Sequence, residues 1–387
     1  MRLLFYLHQF PAIGGIETVT ATLANQFVAG GDSVVVLSHV CNKDNSVGAA
    51  LDAKVRVLRM PEAVCVSPSN TAFLQRMIRD NQIDLVIFQD SYVPIEQNLF
   101  VPSLRVPVVT CEHNAPCYNR PFAKRGWSVR ECLRRRLWPY WELRRQRAEG
   151  ARKRFLYKKS AFYVLLSNRF YGEFRAITGL VDTRKMRALP NPISPCLSVA
   201  SPVEKQNEIL FVGTLNHLKG CDMLLSAWRL VESSHLDWCL TIVGDGCERR
   251  ALEMQAGDLA RVNFIGYQSD PSPYFARAKI FAFPSRREGW GMVLVEAMAY
   301  GCVPVVFDSY SALHDIVSDG RDGIVVPAFD IRMYAKALDK LISEPLLCQS
   351  YGFEARAVMR RFDVSAVDRD WQSLFQQILA ENCKRRE

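Results

Sequence analysis

No two of the twelve cysteines stand at Cys-x-x-Cys spacing, so neither a zinc site nor a disulfide framework is indicated. Most lie in apolar contexts such as Trp238-Cys239-Leu240 and Gly301-Cys302-Val303. A reduced thiol behaves there as a small hydrophobe, and a reducing, cytosolic compartment is expected. No apolar run reaches the roughly 20 residues that cross a bilayer; the longest, 291–307, is interrupted by Glu296 and Pro304. The opening MRLLFYLHQFPAIGG has no small-residue cleavage site behind its short apolar run, and it reads as a first strand rather than a signal peptide. No strand-like run is followed by Gly-x-Gly-x-x-Gly, which argues against an NAD dehydrogenase. Repeats at solenoid periods and low-complexity tracts are missing as well.

What is present is ordinary globular material: 387 residues, 49% apolar and 23% charged. That length exceeds what one core usually organises, so two domains are expected. Short β-rich runs at 2–7, 33–38, 84–88, 106–111, 162–166 and 187–189 alternate with helical or loop stretches. A second series follows at 209–212, 240–243, 262–265, 280–283, 303–306 and 324–326. Continuous apolar strands separated by helices predict parallel sheets covered on both faces, an α/β class with two doubly wound halves. Pro190 and Pro192 stop the first half, and the polar stretch 194–206 is the candidate linker. A final amphipathic helix is predicted over 364–382, with Val367, Trp371, Leu374, Phe375 and Ile378 on one face.

The most informative segment is Phe283-Pro284-Ser285-Arg286-Arg287-Glu288-Gly289-Trp290-Gly291-Met292, continuing Val-Leu-Val-Glu296-Ala-Met-Ala-Tyr-Gly301. It reads as strand, glycine-punctuated loop and a helix from about Met292 that ends at Gly301, a residue suited to the position after a helix. Gly289 and Gly291 let backbone approach a ligand, and the free N–H groups of the helix start suit a diphosphate. Taken alone, Glu288 and Glu296 would be a solvated loop acid and a surface helix residue. Glu296, however, lies inside an apolar run, where an unpaired charge is costly; this favours a ligand role.

This segment resembles the signature of glycosyltransferase family 4, retaining enzymes of the GT-B fold: Glu288, seven intervening residues, Glu296, preceded by Phe-Pro-Ser and followed by Ala-Met-Ala-Tyr-Gly-Cys-Val-Pro-Val-Val. The resemblance runs nearly end to end. It implies two Rossmann-like doubly wound parallel-sheet domains facing a central cleft, with Glu288 on the donor sugar and Glu296 on the nucleotide ribose. Gly289, Gly291 and Met292 then line the donor phosphates. Phe10-Pro11-Ala12-Ile13-Gly14-Gly15-Ile16-Glu17, ahead of a helix predicted over 18–28, is similar to the family's diphosphate-approaching loop, which brings in Gly14 and Gly15. His113, just past a strand end, corresponds to a histidine at the reacting face of the donor sugar; its implied role is positioning donor and acceptor.

Phe211-Val212-Gly213-Thr214-Leu215-Asn216-His217-Leu218-Lys219-Gly220 resembles the family's VGRLxxxKG. Lys219 would neutralise the leaving diphosphate, the work a metal does in other sugar transferases. Thr214 stands where the family has arginine, so a hydrogen bond replaces a charge, and leaving-group stabilisation is weaker or another cation substitutes. Two more strand ends, Ile242-Val243-Gly244-Asp245-Gly246 and Phe264-Ile265-Gly266-Tyr267, line the nucleotide pocket in the family. Gly244 reads equally well as a plain tight turn. No Asp-x-Asp motif precedes the donor site, so neither a metal nor another cofactor is expected.

Between Arg120 and Lys159 fifteen basic residues face three acidic ones, so one segment carries the whole net charge of +9. Arg134, Arg135, Arg136, Trp138, Trp141, Arg144 and Arg145 combine cations with interfacial aromatics, which suits an anionic membrane or acceptor surface. A nucleic-acid groove has the same chemistry but is not expected beside a transferase, and a solvated helix pair is the plain alternative.

The resulting expectation is an acceptor domain over 1–192, a donor domain over 193–363 and a C-terminal helix over 364–387 crossing back to the first domain. The activity is a retaining, metal-independent transfer from a nucleotide sugar, a UDP-sugar first among them, to a saccharide or lipid-linked saccharide in polysaccharide or lipopolysaccharide biosynthesis. The chain would work in the cytoplasm, at the inner face of the plasma membrane. An inactive nucleotide-sugar-binding subunit and a GT-B epimerase or phosphorylase are the alternatives.

Overall fold

Thirteen short strands among the described residues all run parallel to their neighbours in two separate sheets. The computed structural model describes residues 1–12, 14–41, 51–90, 93–116, 129–193 and 204–384, without the side chains of 129–142, 359 and 382–384. The first sheet holds β1 (Arg2–Gln9), β2 (Ser33–Val40), β3 (Arg56–Arg59), β4 (Leu85–Asp90), β5 (Val108–Glu112), β6 (Phe162–Leu165) and β7 (Met186–Ala188), in the order β3-β2-β1-β4-β5-β6-β7. The second holds β8 (Gln206–Val212), β9 (Cys239–Val243), β10 (Val262–Gly266), β11 (Ala278–Phe283), β12 (Val303–Phe307) and β13 (Ile324–Val326), in the order β10-β9-β8-β11-β12-β13.

Both orders reverse direction beside their first strand, the doubly wound pattern whose ligands gather outside the carboxyl ends of the strands at the reversal. In the first sheet the reversal lies between β1 and β4, and in the second between β8 and β11. The central strands are apolar because both faces are covered: Leu3 to Leu7 of β1 and Leu85 to Phe88 of β4 are buried throughout. β3 was not among the strands read from sequence. It is a four-residue edge strand, RVLR, mostly exposed, and an edge strand with one neighbour carries charges that hide its pattern.

By its contacts the chain divides into Met1–Pro192 with Val367–Glu387, and Ile193–Ala366. The helix Val364–Lys384 belongs to the first unit from Val367 on. It buries Trp371, Leu374, Phe375 and Ile378, and sets Trp371 and Phe375 edge-on against Phe27 at 6.1 and 5.3 Å. Each such side chain removed from water contributes roughly 1.5–3 kcal/mol. In the second unit Trp228, Phe211, Leu240, Ile280, Val305 and Leu338 lie in one core, with the Tyr334 hydroxyl donating to the Val305 carbonyl at 2.6 Å. Residues 194–203 of the expected linker lie outside the described residues, and its end, Gln206, already belongs to β8.

Candidate functional site

Two loops meet beside the reversal of the second sheet, one after β8 and one after β11. The first is a single turn of 3-10 helix, His217–Lys219, whose amides at Leu218 and Lys219 donate to the Asn216 side chain at 3.0 and 3.3 Å. The second is joined to it by several bonds. The Arg286 amide donates to the Leu218 carbonyl at 2.7 Å, and the Arg286 guanidinium donates to the His217 carbonyl and forks onto both oxygens of Asp222 at 2.7 and 2.6 Å. A bidentate charged pair of this kind fixes orientation as well as distance.

Glu288 sits at the centre of this junction. It is buried, and its Oε1 accepts from Lys219 Nζ at 2.6 Å and from Ser285 Oγ at 2.7 Å. It is therefore a carboxylate held in a fixed place, not a solvated loop acid. The loop ends at Gly291, whose φ of +92° opens the helix Met292–Ala299. A Cβ there would lie 3.1 Å from the Tyr310 hydroxyl and 3.2 Å from the Phe283 ring, so strain and crowding both demand glycine. That hydroxyl donates to the Trp290 carbonyl at 3.1 Å. At the other end Gly301 (φ +76°) closes the helix: its amide reaches the Met298 carbonyl, and the Cys302 amide the Ala297 carbonyl.

Glu296 lies one turn into this helix, half-buried, with no side-chain hydrogen bond or ion pair among the described residues. Burial pushes its pKa up to about 7. A partly desolvated carboxylate without a donor is a group that native structures leave only for a reason. The indole N–H of Trp290 is likewise buried without a partner.

In the first unit, His113 follows β5 and meets Gln89 of the neighbouring β4, with its Nε2 2.5 Å from Gln89 Oε1. Burial lowers the His113 pKa to about 4, with Asn191 acting in the opposite direction. The ring is neutral near pH 7, and because Gln89 Oε1 can only accept, the contact requires the tautomer with its proton on Nε2. His113 Nδ1 and Gln89 Nε2 are buried without hydrogen-bond partners. Beside them the same strand ends carry buried charges. Arg152 forks onto Asp90 (2.8 and 3.2 Å) and onto Glu96 (2.9 and 2.9 Å). Lys153 pairs with Glu112, which also accepts from the Tyr163 hydroxyl at 2.8 Å.

Two family models tile the chain: "Glycosyltransferase Family 4" matches residues 13–195, and "Glycosyl transferases group 1" matches residues 198–358. The chain belongs to glycosyltransferase family 4. This glycosyltransferase is 25% identical over 377 residues to an uncharacterized glycosyltransferase of Haemophilus influenzae, covering 96% of this chain and 98% of that one. It is 23% identical, over 94% and 96% of the two chains, to a Campylobacter jejuni α-1,4-N-acetyl-D-galactosaminyltransferase named for an undecaprenol-diphosphate-linked saccharide. Among solved structures, Anabaena HepE in complex with UDP-glucose superposes with a TM-score of 0.74 at 18% identity, covering 97% of this chain and 100% of that one. The glycosyltransferase thus has the GT-B fold.

Of the residues singled out in the sequence of the glycosyltransferase, the structure brings Lys219, Glu288, Gly289, Gly291, Met292 and Glu296 to one strand-end region of the second unit. Thr214 is exposed on the loop after β8, with no side-chain partner among the described residues. Tyr267 is half-exposed after β10. Gly244 has a packing reason of its own: at φ +139° a Cβ would fall 1.9 Å from the Gly213 carbonyl oxygen. Gly14 and Gly15 follow β1, but the helix expected from Thr18 begins at Gly15, because the Gly14 carbonyl already accepts the Thr18 amide at 3.1 Å.

Of the basic segment, the described part forms one helix, Val129–Lys159, and residues 120–128 lie outside the described residues. Arg134, Arg135, Arg136, Trp138 and Trp141 lie outside the described side chains; Arg144 is exposed and Arg145 half-buried. Its far end departs from the surface reading, since Arg152 and Lys153 turn inward to buried carboxylates. No helix among the described residues is long and apolar enough to cross a membrane, and no group of three or more His, Cys, Asp or Glu among them could hold a metal. Sequence reasoning passed over Gln89, Ser285 and Arg286. Ser285 and Arg286 left a signal, the first in the Phe-Pro-Ser ahead of Glu288 and the second as a cation inside the signature loop.

Proposed function

We propose that the enzyme is a retaining glycosyltransferase that moves a sugar from a nucleotide sugar, a UDP-sugar first among them, to a saccharide or lipid-linked saccharide, without a metal. The observation that carries this reading is the fixed Lys219–Glu288 pair beside a helix start, with an unpartnered Glu296 one turn on. The helix amides and Lys219 offer positive charge where a diphosphate develops negative charge. Glu288 offers acceptor oxygens to sugar hydroxyls, and Glu296 to the ribose diol.

In the transfer, the bond from the anomeric carbon to the diphosphate oxygen breaks, a bond to the acceptor oxygen forms, and the acceptor proton ends on the departing phosphate. His113 is neutral and held by Gln89, which fits a positioning role better than a base. Gly14, Gly15, Gly244 and Tyr267 stay with the donor on the resemblance alone. Thr214 leaves the leaving group one charge short of the family pattern, and the nearby Arg286 is already engaged by Asp222.

The UDP-glucose bound to HepE supports the nucleotide choice, and the undecaprenol-linked substrate named for the Campylobacter relative supports a lipid-linked acceptor. The exposed Arg144 supports only a basic surface, so the membrane-facing assignment rests on the composition of residues 120–159. Peripheral association with the cytoplasmic face of the plasma membrane belongs to the same proposal.

A panel of radiolabelled UDP-, GDP- and ADP-sugars offered to wild type and Glu288→Ala tests the reading. Transfer by wild type with inversion, a requirement for added divalent metal, or undiminished turnover by Glu288→Ala each counts against it. Stereochemistry is read by NMR of the product.

A further inference from the structure

In the second unit, the strand ends opposite to the Lys219–Glu288 loops border a cavity of about 570 Å³. Its lining includes Lys205 just before β8, Asn207 at the start of β8, Lys279 at the start of β11, and Gly301 just before β12. That volume lies in the range of small-molecule sites.

The charges in it are unbalanced. Lys205, Lys279 and Arg356 face a single acid, Asp237, and none of the three cations forms an ion pair among the described residues. Lys205 Nζ donates to the Phe275 and Ala278 carbonyls at 2.9 and 2.8 Å, and burial lowers its pKa. Lys279 Nζ donates to Asn207 Oδ1 at 2.5 Å and stands 5.7 Å from the centre of the Trp238 ring. Asp237 is itself held by Asn207 Nδ2 at 2.6 Å. Room for the Arg356 guanidinium depends on Gly301, because a Cβ there would lie 2.6 Å from Arg356 Nε.

Apart from Gln349, the rest of the wall carries apolar side chains, Trp238, Leu341, Ile342 and Phe353 among them. Phe353 is 75% exposed. A large apolar side chain left in water at Phe353, beside cations without an ion-pair partner among the described residues, marks a surface that gains from being covered.

We propose that this cavity binds an amphipathic anion, an acidic headgroup on an aliphatic tail, with the headgroup on Lys279 and Arg356 and the tail along Trp238, Leu341 and Phe353. The site is separate from the one proposed for the donor and does not depend on that reading. An anion supplies the missing charge, and the tail removes the apolar rim from water.

Calorimetric titration of n-octyl phosphate, inorganic phosphate and octan-1-ol into the full chain, each below its aggregation limit, tests the site. One octyl phosphate is expected per chain, with inorganic phosphate and octanol each at least about tenfold weaker, since neither carries both parts. Lys279→Glu combined with Arg356→Glu should weaken octyl phosphate at least about tenfold, and Gln349→Trp, a substitution at an exposed lining position, should block it. Lys219→Ala should leave it unchanged. Absence of binding, inorganic phosphate or octanol as tight as octyl phosphate, full affinity in the charge-reversed variant, or loss in Lys219→Ala would each overturn the proposal. If the charge-reversed chain does not fold, the Gln349→Trp result decides.

Discussion

Lys219 Nζ stands 2.6 Å from Glu288 Oε1, so the cation and the acid assigned to different parts of a donor are salt-bridged to each other. A bound diphosphate and sugar would share this pair, with Lys219 turning its remaining donors to phosphate while Glu288 keeps Ser285 and accepts from the sugar.

Lys219→Ala should lower kcat by ~10²–10³-fold through lost stabilisation of the leaving diphosphate. It should also cost about 1–3 kcal/mol of stability, because Glu288 is left buried with Ser285 alone. Lys219→Met with Glu288→Gln should recover stability but not turnover. Urea unfolding and steady-state kinetics measure the two effects; recovery of both would show that the pair is structural only.

Glu296 titrates near pH 7 because burial disfavours its charge. Its folded pKa is above the unfolded one, so the folded chain holds the extra proton between about pH 4.5 and 7, and stability falls as pH rises through that window. Glu296→Gln should therefore be more stable than wild type at pH 8, by about 1–3 kcal/mol, and indistinguishable at pH 4. Nucleotide binding should show the reverse: UDP affinity of wild type should gain on that of Glu296→Gln as pH rises from 6 to 8. Parallel pH profiles in calorimetry would remove Glu296 from the ribose.

His113 has its pKa lowered by burial to about 4. The folded chain resists protonation that the unfolded chain accepts, so this contribution is complete above about pH 6.5 and is lost as pH falls toward 4. Nitrogen-detected NMR should show a neutral imidazole protonated on Nε2 at pH 6, and Gln89→Leu should remove that preference and slow transfer about tenfold or more. A ring that titrates near 6.5 would contradict the geometry.

Arg152 bridges two buried carboxylates, Asp90 and Glu96, and Asp90 has its pKa raised by burial to about 6 even with the opposing guanidinium. Arg152→Ala leaves Glu96 without its ion pair and Asp90 with only the charge of Lys153, and should cost about 3–5 kcal/mol. Adding Asp90→Asn and Glu96→Gln should return much of it. Chemical denaturation followed by fluorescence measures each step.

The order of elements, the parallel class and the glycine-bounded helix after β11 follow from local pattern: continuous apolar strands, helical spacing and Gly301 past a helix end. The Glu288 to Glu296 spacing and Lys219 were legible for the same reason, as short-range features of one loop and one helix. Strand β3 was not, because RVLR on an edge has no pattern to show. The pairing of Lys219 with Glu288, of Gln89 with His113, and of Arg152 and Lys153 with buried acids joins residues 24 to 69 positions apart. One sequence carries charge and spacing but no distance between strands. Which cations face water and which face a carboxylate was therefore decided only when strand order brought their loops together.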